Sequence, residues 1–209
     1  MTLQTLRRGP DVAERASQLV VGALFLVLAW RIGDDFIRTM RVTGLLLLVS
    51  EALVVFLTVC RRRPALVDRS WGPRLVTALS FAGPPLMRPS TSFALLPDTL
   101  AAILSACGLL IVVAGKISLG RSFGIIPANR GIVSRGIYRV VRHPIYVGYL
   151  LTHGAFLLSH FEAWNVCVLV TSDMMLLVRA IYEERTLSCD PAYVTYRSRV
   201  RWRMVPGVF

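Results

Sequence analysis

The stretch Asp98-Thr-Leu-Ala-Ala-Ile-Leu-Ser-Ala-Cys-Gly-Leu-Leu-Ile-Val-Val-Ala-Gly-Lys116 carries no charge between its two ends. A helix needs about 20 mainly apolar residues to cross a hydrocarbon core, and this run meets that length. The same ruler, moved along the chain, picks out 16–33, 42–60, 74–94, 145–161 and 163–182. The expected fold is therefore all-α: a polytopic integral-membrane helical protein of about six spans. The span over 74–94 is the irregular one, because Gly83-Pro84-Pro85 and Arg88-Pro89 interrupt it. Proline removes a backbone donor, which lipid tolerates only where a neighbour covers the freed carbonyl.

Composition supports the same reading. Of 209 residues, 55% are hydrophobic and 17% charged, with a mean hydropathy of +0.59, too apolar for a soluble domain of this size. The 24 Lys and Arg against 12 Asp and Glu leave a formal charge of +12. On an oily chain such a bias reports membrane topology, and no nucleic-acid partner is expected. Basic groups precede the first span (Arg7, Arg8, Arg15), follow the second (Arg61, Arg62, Arg63), fill 116–142 and crowd the tail (Arg197, Arg199, Arg201, Arg203). They alternate with less basic connections at 31–41, 88–98 and 160–162, which places both termini in the cytoplasm. Trp30, Arg31 and Asp34 follow the first apolar run in place of a small-residue cleavage signature, so that run reads as a retained span in a plasma or inner membrane. The last residues, 205–209, hold no prenylation box. Cys60, Cys107, Cys167 and Cys189 lie far apart, implying neither a disulfide framework nor a metal centre.

Polar residues concentrate in the second half. Residues 1–115 read as N-terminal membrane helices and 116–209 as the region bearing chemistry, the two forming one integrated membrane domain. Tyr138, Arg142, His143 and Tyr146 crowd the start of the fifth span, with Pro144 suited to the first helical turn. Free backbone N–H groups there would favour an anionic group. An interfacial belt of tyrosine and snorkelling arginine accounts for the same residues. At the end of the sixth span Arg179 and Glu183, four apart, share a helix face; an ordinary helix-end ion pair is the other reading. The short turn between these spans brings both clusters to one membrane face, close enough to build one pocket. Glu51 and Asp173 are acids at membrane depth, either functional or structurally paired. His153 and His160, seven apart, stand about 10 Å from one another along a helix, too far to share a metal, and read as packing residues.

The order Gly136-x-Tyr138-x3-Arg142-His143-Pro144-x-Tyr146-x-Gly148, then Arg179-x3-Glu183-Glu184-x2-Leu187, then Tyr193-x2-Tyr196, resembles the isoprenylcysteine carboxyl methyltransferase family. Its relatives include phospholipid and thiol methyltransferases and, more remotely, the C-terminal half of sterol reductases. The resemblance covers about residues 115–206. It implies a cofactor, S-adenosylmethionine, held by Arg130, Gly131, Ile132, Val133, Tyr138, His143, Pro144, Ile145, Tyr146 and Glu183, with Arg142 and Gly148 completing the motif. It also implies that Arg179 faces the substrate and that Arg179 and Glu183 are the catalytic pair. The implied reaction is methyl transfer to a lipophilic acceptor, to a carboxylate oxygen first, with a lipid amine or thiol as the other classes. The rival readings are a membrane reductase using NADPH and a non-catalytic transport or assembly protein.

Overall fold

The computed structural model describes residues 3–4, 30, 37, 52–53, 56–57, 60, 62, 64–68, 70–88, 94–124 and 127–208. The expected first span, most of the second, and Glu51 lie outside the described residues. The described chain is mostly helical: α1 (Trp71–Leu86), α2 (Asp98–Leu119), α3 (Pro144–Ser159), α4 (Ala163–Leu187) and α5 (Pro191–Arg199). A small antiparallel sheet joins β1 (Leu3–Gln4), β2 (Leu66–Asp68) and β3 (Ala128–Asn129) in that order. The all-α expectation is corrected on this point. Strands of two or three residues are too short to display an alternating pattern.

Among the described residues, two helices are long and apolar enough to cross a membrane, Asp98–Ser122 and Ala163–Leu187. Helices α1 and α3 have 16 residues each, about 24 Å at 1.5 Å per residue, and fall short of that ruler. The expected span over 74–94 ends at Leu86, with Met87 already extended at φ −65° and ψ 144°. Pro84 explains how α1 reaches even that far. It has no N–H for the carbonyl of Ser80, and Ser172 Oγ on α4 donates to that oxygen instead, at 2.8 Å. Gly83 makes the approach possible, since a Cβ there would fall 2.5 Å from Cβ of Ser172.

The helices pack in pairs, α1 along α4 and α2 along α3. Small residues let the second pair close: a Cβ on Gly148 would lie 2.5 Å from the Gly108 carbonyl oxygen and 2.6 Å from Val112 Cγ2. Val112, Ile145, Tyr146, Leu176 and Ala180 form the core with Met204 of the tail. Leu100, Ile103, Leu110, Val170 and Met174 point outward and stay exposed, the apolar exterior of a membrane protein.

Candidate active site

The site forms where α3 begins and α4 ends. His143 caps α3 and Pro144 opens it, so the backbone enters the helix with a fixed φ and without an orphan donor. Backbone N–H of Arg142 donates to the Trp202 carbonyl at 3.0 Å and that of His143 to the Arg203 carbonyl at 2.8 Å. Both donors are therefore engaged by the C-terminal tail.

The consecutive acids of α4 divide their work, because neighbouring helical residues diverge by about 100°. Glu184 is 4% exposed and turns inward. Its Oε1 lies 3.3 Å from Arg142 Nε and 3.2 Å from His143 Nε2, and its Oε2 accepts from Arg203 Nε at 3.1 Å. One buried carboxylate thus ties the start of α3, the end of α4 and the tail together. Glu183 faces a cleft instead, accepting from the Tyr146 hydroxyl at 2.7 Å, with His143 Nδ1 3.9 Å away. One turn back, Arg179 lies over two rings, its Cζ 4.9 Å from the Phe81 centroid and 5.3 Å from that of Tyr146. Tyr146 consequently serves both residues, its ring under Arg179 and its hydroxyl on Glu183, and stacks on the His143 ring at 5.2 Å.

The opposite wall follows β3. Asn129 Nδ2 donates to Asp190 Oδ2 at 2.7 Å while its Oδ1 accepts from the Gly131 N–H at 2.9 Å. Gly131 has φ 99°, a left-handed conformation that a side chain would strain. Asp190 also caps α5 through the Ala192 N–H at 2.9 Å, so one acid fixes both the wall and the helix that roofs it. From that roof the Tyr196 hydroxyl donates to the Tyr138 carbonyl at 2.8 Å. Burial pushes the phenols of Tyr138 and Tyr193 well up and that of Tyr196 to about 12. All three stay protonated at neutral pH. Tyr193 is 2% exposed, lines the cleft, and has no hydrogen-bond partner for its Oη among the described residues.

Arg130, Gly131, Ile132, Val133, Tyr138, Arg142, His143, Ile145, Tyr146, Arg179 and Glu183 thus line one cleft of about 920 Å3, measured to its open mouth. Two expected members stand elsewhere. Pro144 is fully buried behind the wall, and Gly148 faces α2, where it serves helix packing. The cleft also takes in Phe81, Leu119, Phe123, Tyr149 and Tyr193, to which sequence reasoning gave no role. The Tyr193-x2-Tyr196 spacing was a signal for the roof; nothing in the sequence marks Phe81. Asp173 and His153 lie outside the cleft and bond each other across α3 and α4.

Residues 97–189 match the family model described as phospholipid methyltransferase. This segment is a phospholipid methyltransferase domain, in the membrane-methyltransferase family that also holds the isoprenylcysteine enzymes. No curated protein matches the chain. The matched segment opens at the cap of α2 and stops just before the α5 cap. It contains Tyr138, His143, Tyr146, Arg179 and Glu183. Phe81, Tyr193 and Tyr196 lie outside it and complete the cleft from both flanks. The matched segment supports a membrane protein of methyltransferase kind.

Proposed function

We propose that the protein is a multi-pass membrane methyltransferase that uses S-adenosylmethionine, bound in the cleft from the cytoplasmic side, to methylate a lipophilic acceptor. In this reading six spans place both termini in the cytoplasm. The observation that carries it is the donor and acceptor set of the cleft. An amino-acid ammonium needs a carboxylate, and Glu183 presents one, held in place by Tyr146 at 2.7 Å. A carboxylate needs a cation or a donor, and Arg130, Arg142 and the buried Tyr193 Oη line the same space. Tyr138, Tyr146 and Tyr149 offer ring faces to an adenine or a sulfonium.

When bound, the cofactor supplies a methyl group already activated by its sulfonium. What remains for the protein is placement, which alone accounts for a large share of the acceleration in a displacement of this kind. Arg179 performs it: a cation held beside the Phe81 and Tyr146 rings and lining the cleft can pair with an anionic acceptor group. A carboxylate set there attacks through oxygen and needs no base. The family match favours a second acceptor, a lipid amine, which must shed a proton before attack; Glu183, 30% exposed on the cleft, is the carboxylate placed to accept it.

Calorimetry on protein in lipid nanodiscs tests the assignment. Wild type binds S-adenosylmethionine saturably, and Glu183→Gln weakens binding about tenfold to a hundredfold, the worth of a charge-assisted hydrogen bond, at an unchanged melting temperature. Normal binding by Glu183→Gln removes that residue from the cofactor site. Binding of NADPH with none of S-adenosylmethionine overturns the methyltransferase reading.

Tyr193→Phe gives a separate test. Deleting a buried hydroxyl with no partner among the described residues leaves stability unchanged or slightly raised. The same change weakens S-adenosylmethionine binding by about threefold to tenfold, as expected for one lost neutral hydrogen bond. Calorimetry and a thermal melt on one sample read both effects; loss of stability without loss of affinity would make Tyr193 a packing residue only.

A further inference from the structure

The α1–α4 pair carries a second concentration of charge where α1 starts and α4 finishes, on residues that take no part in lining the cleft. The helices approach closely there, since a Cβ on Gly72 would fall 3.0 Å from the Tyr182 hydroxyl. Each side of this junction presents an aromatic ring with a cation over it. Arg74 Cζ lies 5.9 Å from the Trp71 centroid and Arg185 Cζ 5.7 Å from that of Tyr182. Both arginines are exposed, and neither pairs with an acid among the described residues. The acids in reach by sequence are engaged elsewhere. Helix α1 contains none. On α4, Asp173 bonds His153, Glu183 accepts from Tyr146, and Glu184 holds Arg142, His143 and Arg203. Asp68, just ahead of α1, is 5% exposed and accepts from the Ser70 backbone N–H at 2.9 Å and from its Oγ at 2.7 Å.

Deeper along α1 the surface becomes apolar. Trp71, Leu75 and Leu79 recur every four residues and are 82%, 60% and 40% exposed, an open strip about 12 Å long at 1.5 Å per residue. Helix α4 beside it is one of the two long and apolar enough to cross a membrane. Tryptophan and tyrosine settle where headgroups meet chains, which puts Arg74 and Arg185 at headgroup level and the two leucines among the acyl chains. The pattern fits a molecule with an anionic head and long apolar chains. A zwitterionic head is a poorer match, because it brings a cation of its own to two guanidiniums that no carboxylate offsets.

We propose that this junction binds the phosphodiester head of an anionic membrane phospholipid, one with no amine to methylate, and lays its chains along Leu75 and Leu79. Such a lipid fastens the start of α1, the helix that carries Phe81 over Arg179, to the end of α4. The site is separate from the cleft, and the inference does not depend on the methyltransferase reading. Full-length protein in nanodiscs of equal phosphatidylglycerol and phosphatidylcholine, released into mild detergent, shows its retained lipids by native mass spectrometry. Wild type retains phosphatidylglycerol preferentially. Arg74→Gln and Arg185→Gln each lower that preference about fivefold, the worth of one basic residue near an anionic surface, and together about twenty-fivefold. Arg74→Lys and Arg185→Lys keep most of it, which separates lost charge from lost folding. Arg199→Gln, at an exposed arginine of α5 outside the junction, leaves it unchanged. Equal retention of the two lipids by wild type, or an undiminished preference in the double glutamine variant, overturns the proposal. An equal loss in Arg199→Gln overturns it too, by showing that only total positive charge counts. Stabilisation by millimolar inorganic phosphate in phosphatidylcholine nanodiscs, with no lipid preference, would mark an oxyanion site and overturn the lipid assignment.

Discussion

Replacing Glu184 by alanine is expected to destabilise the protein by about 3–5 kcal/mol, the cost of leaving buried charge without its partner. The carboxylate is 4% exposed and lies within 3.3 Å of Arg142 Nε, His143 Nε2 and Arg203 Nε. Arg142 and His143 are themselves only 8% and 6% exposed, so water does not readily replace what the mutation removes. The tail should loosen with the ion cluster. Its carbonyls at Trp202 and Arg203 receive the N–H groups of Arg142 and His143, and Met204 packs in the core. A denaturant titration in micelles measures the stability, and trypsin cleavage after Arg201 or Arg203 reports the tail. On the proposed reading, S-adenosylmethionine binding falls with stability in this variant, whereas Glu183→Gln should lose binding alone. If Glu184→Ala melted like wild type, the ion cluster would be a consequence of the fold and not a support of it.

The second large effect concerns two glycines of one helix. Gly148→Ala places a Cβ 2.5 Å from the Gly108 carbonyl oxygen and 3.0 Å from the Val112 backbone nitrogen, and neither is a side chain able to swing away. Helices α2 and α3 must then separate, at a cost of about 1–3 kcal/mol for an overpacked contact. Because Tyr146 and Tyr149 sit on the same helix within one turn, the cleft should widen, and the proposed affinity for S-adenosylmethionine should fall with stability. Gly154→Ala is the matched control: nothing lies within 4 Å of its added methyl, so the higher helix propensity of alanine leaves stability equal or better. Thermal melts of the two variants side by side decide the point. Equal behaviour would mean that α2 and α3 do not need the close approach at Gly148.

Sequence alone determined where α2, α3 and α4 run and which residues gather at one cleft. Apolar runs bounded by charge set α2 and α4 to within a few residues, since solvation of the backbone in lipid admits few alternatives. Pro144 set the start of α3, and four-residue spacing put Arg179 and Glu183 on one face. The family resemblance then drew Tyr138, His143, Tyr146, Arg179 and Glu183 into one group that the fold does bring together.

What the sequence could not express were relations between distant residues that no period encodes. Nothing local distinguishes Glu183 from Glu184; only the packing of α4 against α3 and the tail turns one to the cleft and buries the other. Gly148 sits within the motif, yet its contact is with a helix forty residues earlier. The truncation of the third span at Leu86, and its rescue by Ser172, depend on a hydroxyl 92 residues from the carbonyl it covers. Phe81 reaches Arg179, and Asp173 reaches His153, in the same way. Hydrophobic periodicity specifies which face of a helix is buried, but which neighbour buries it, and therefore which polar groups meet, is settled by tertiary packing.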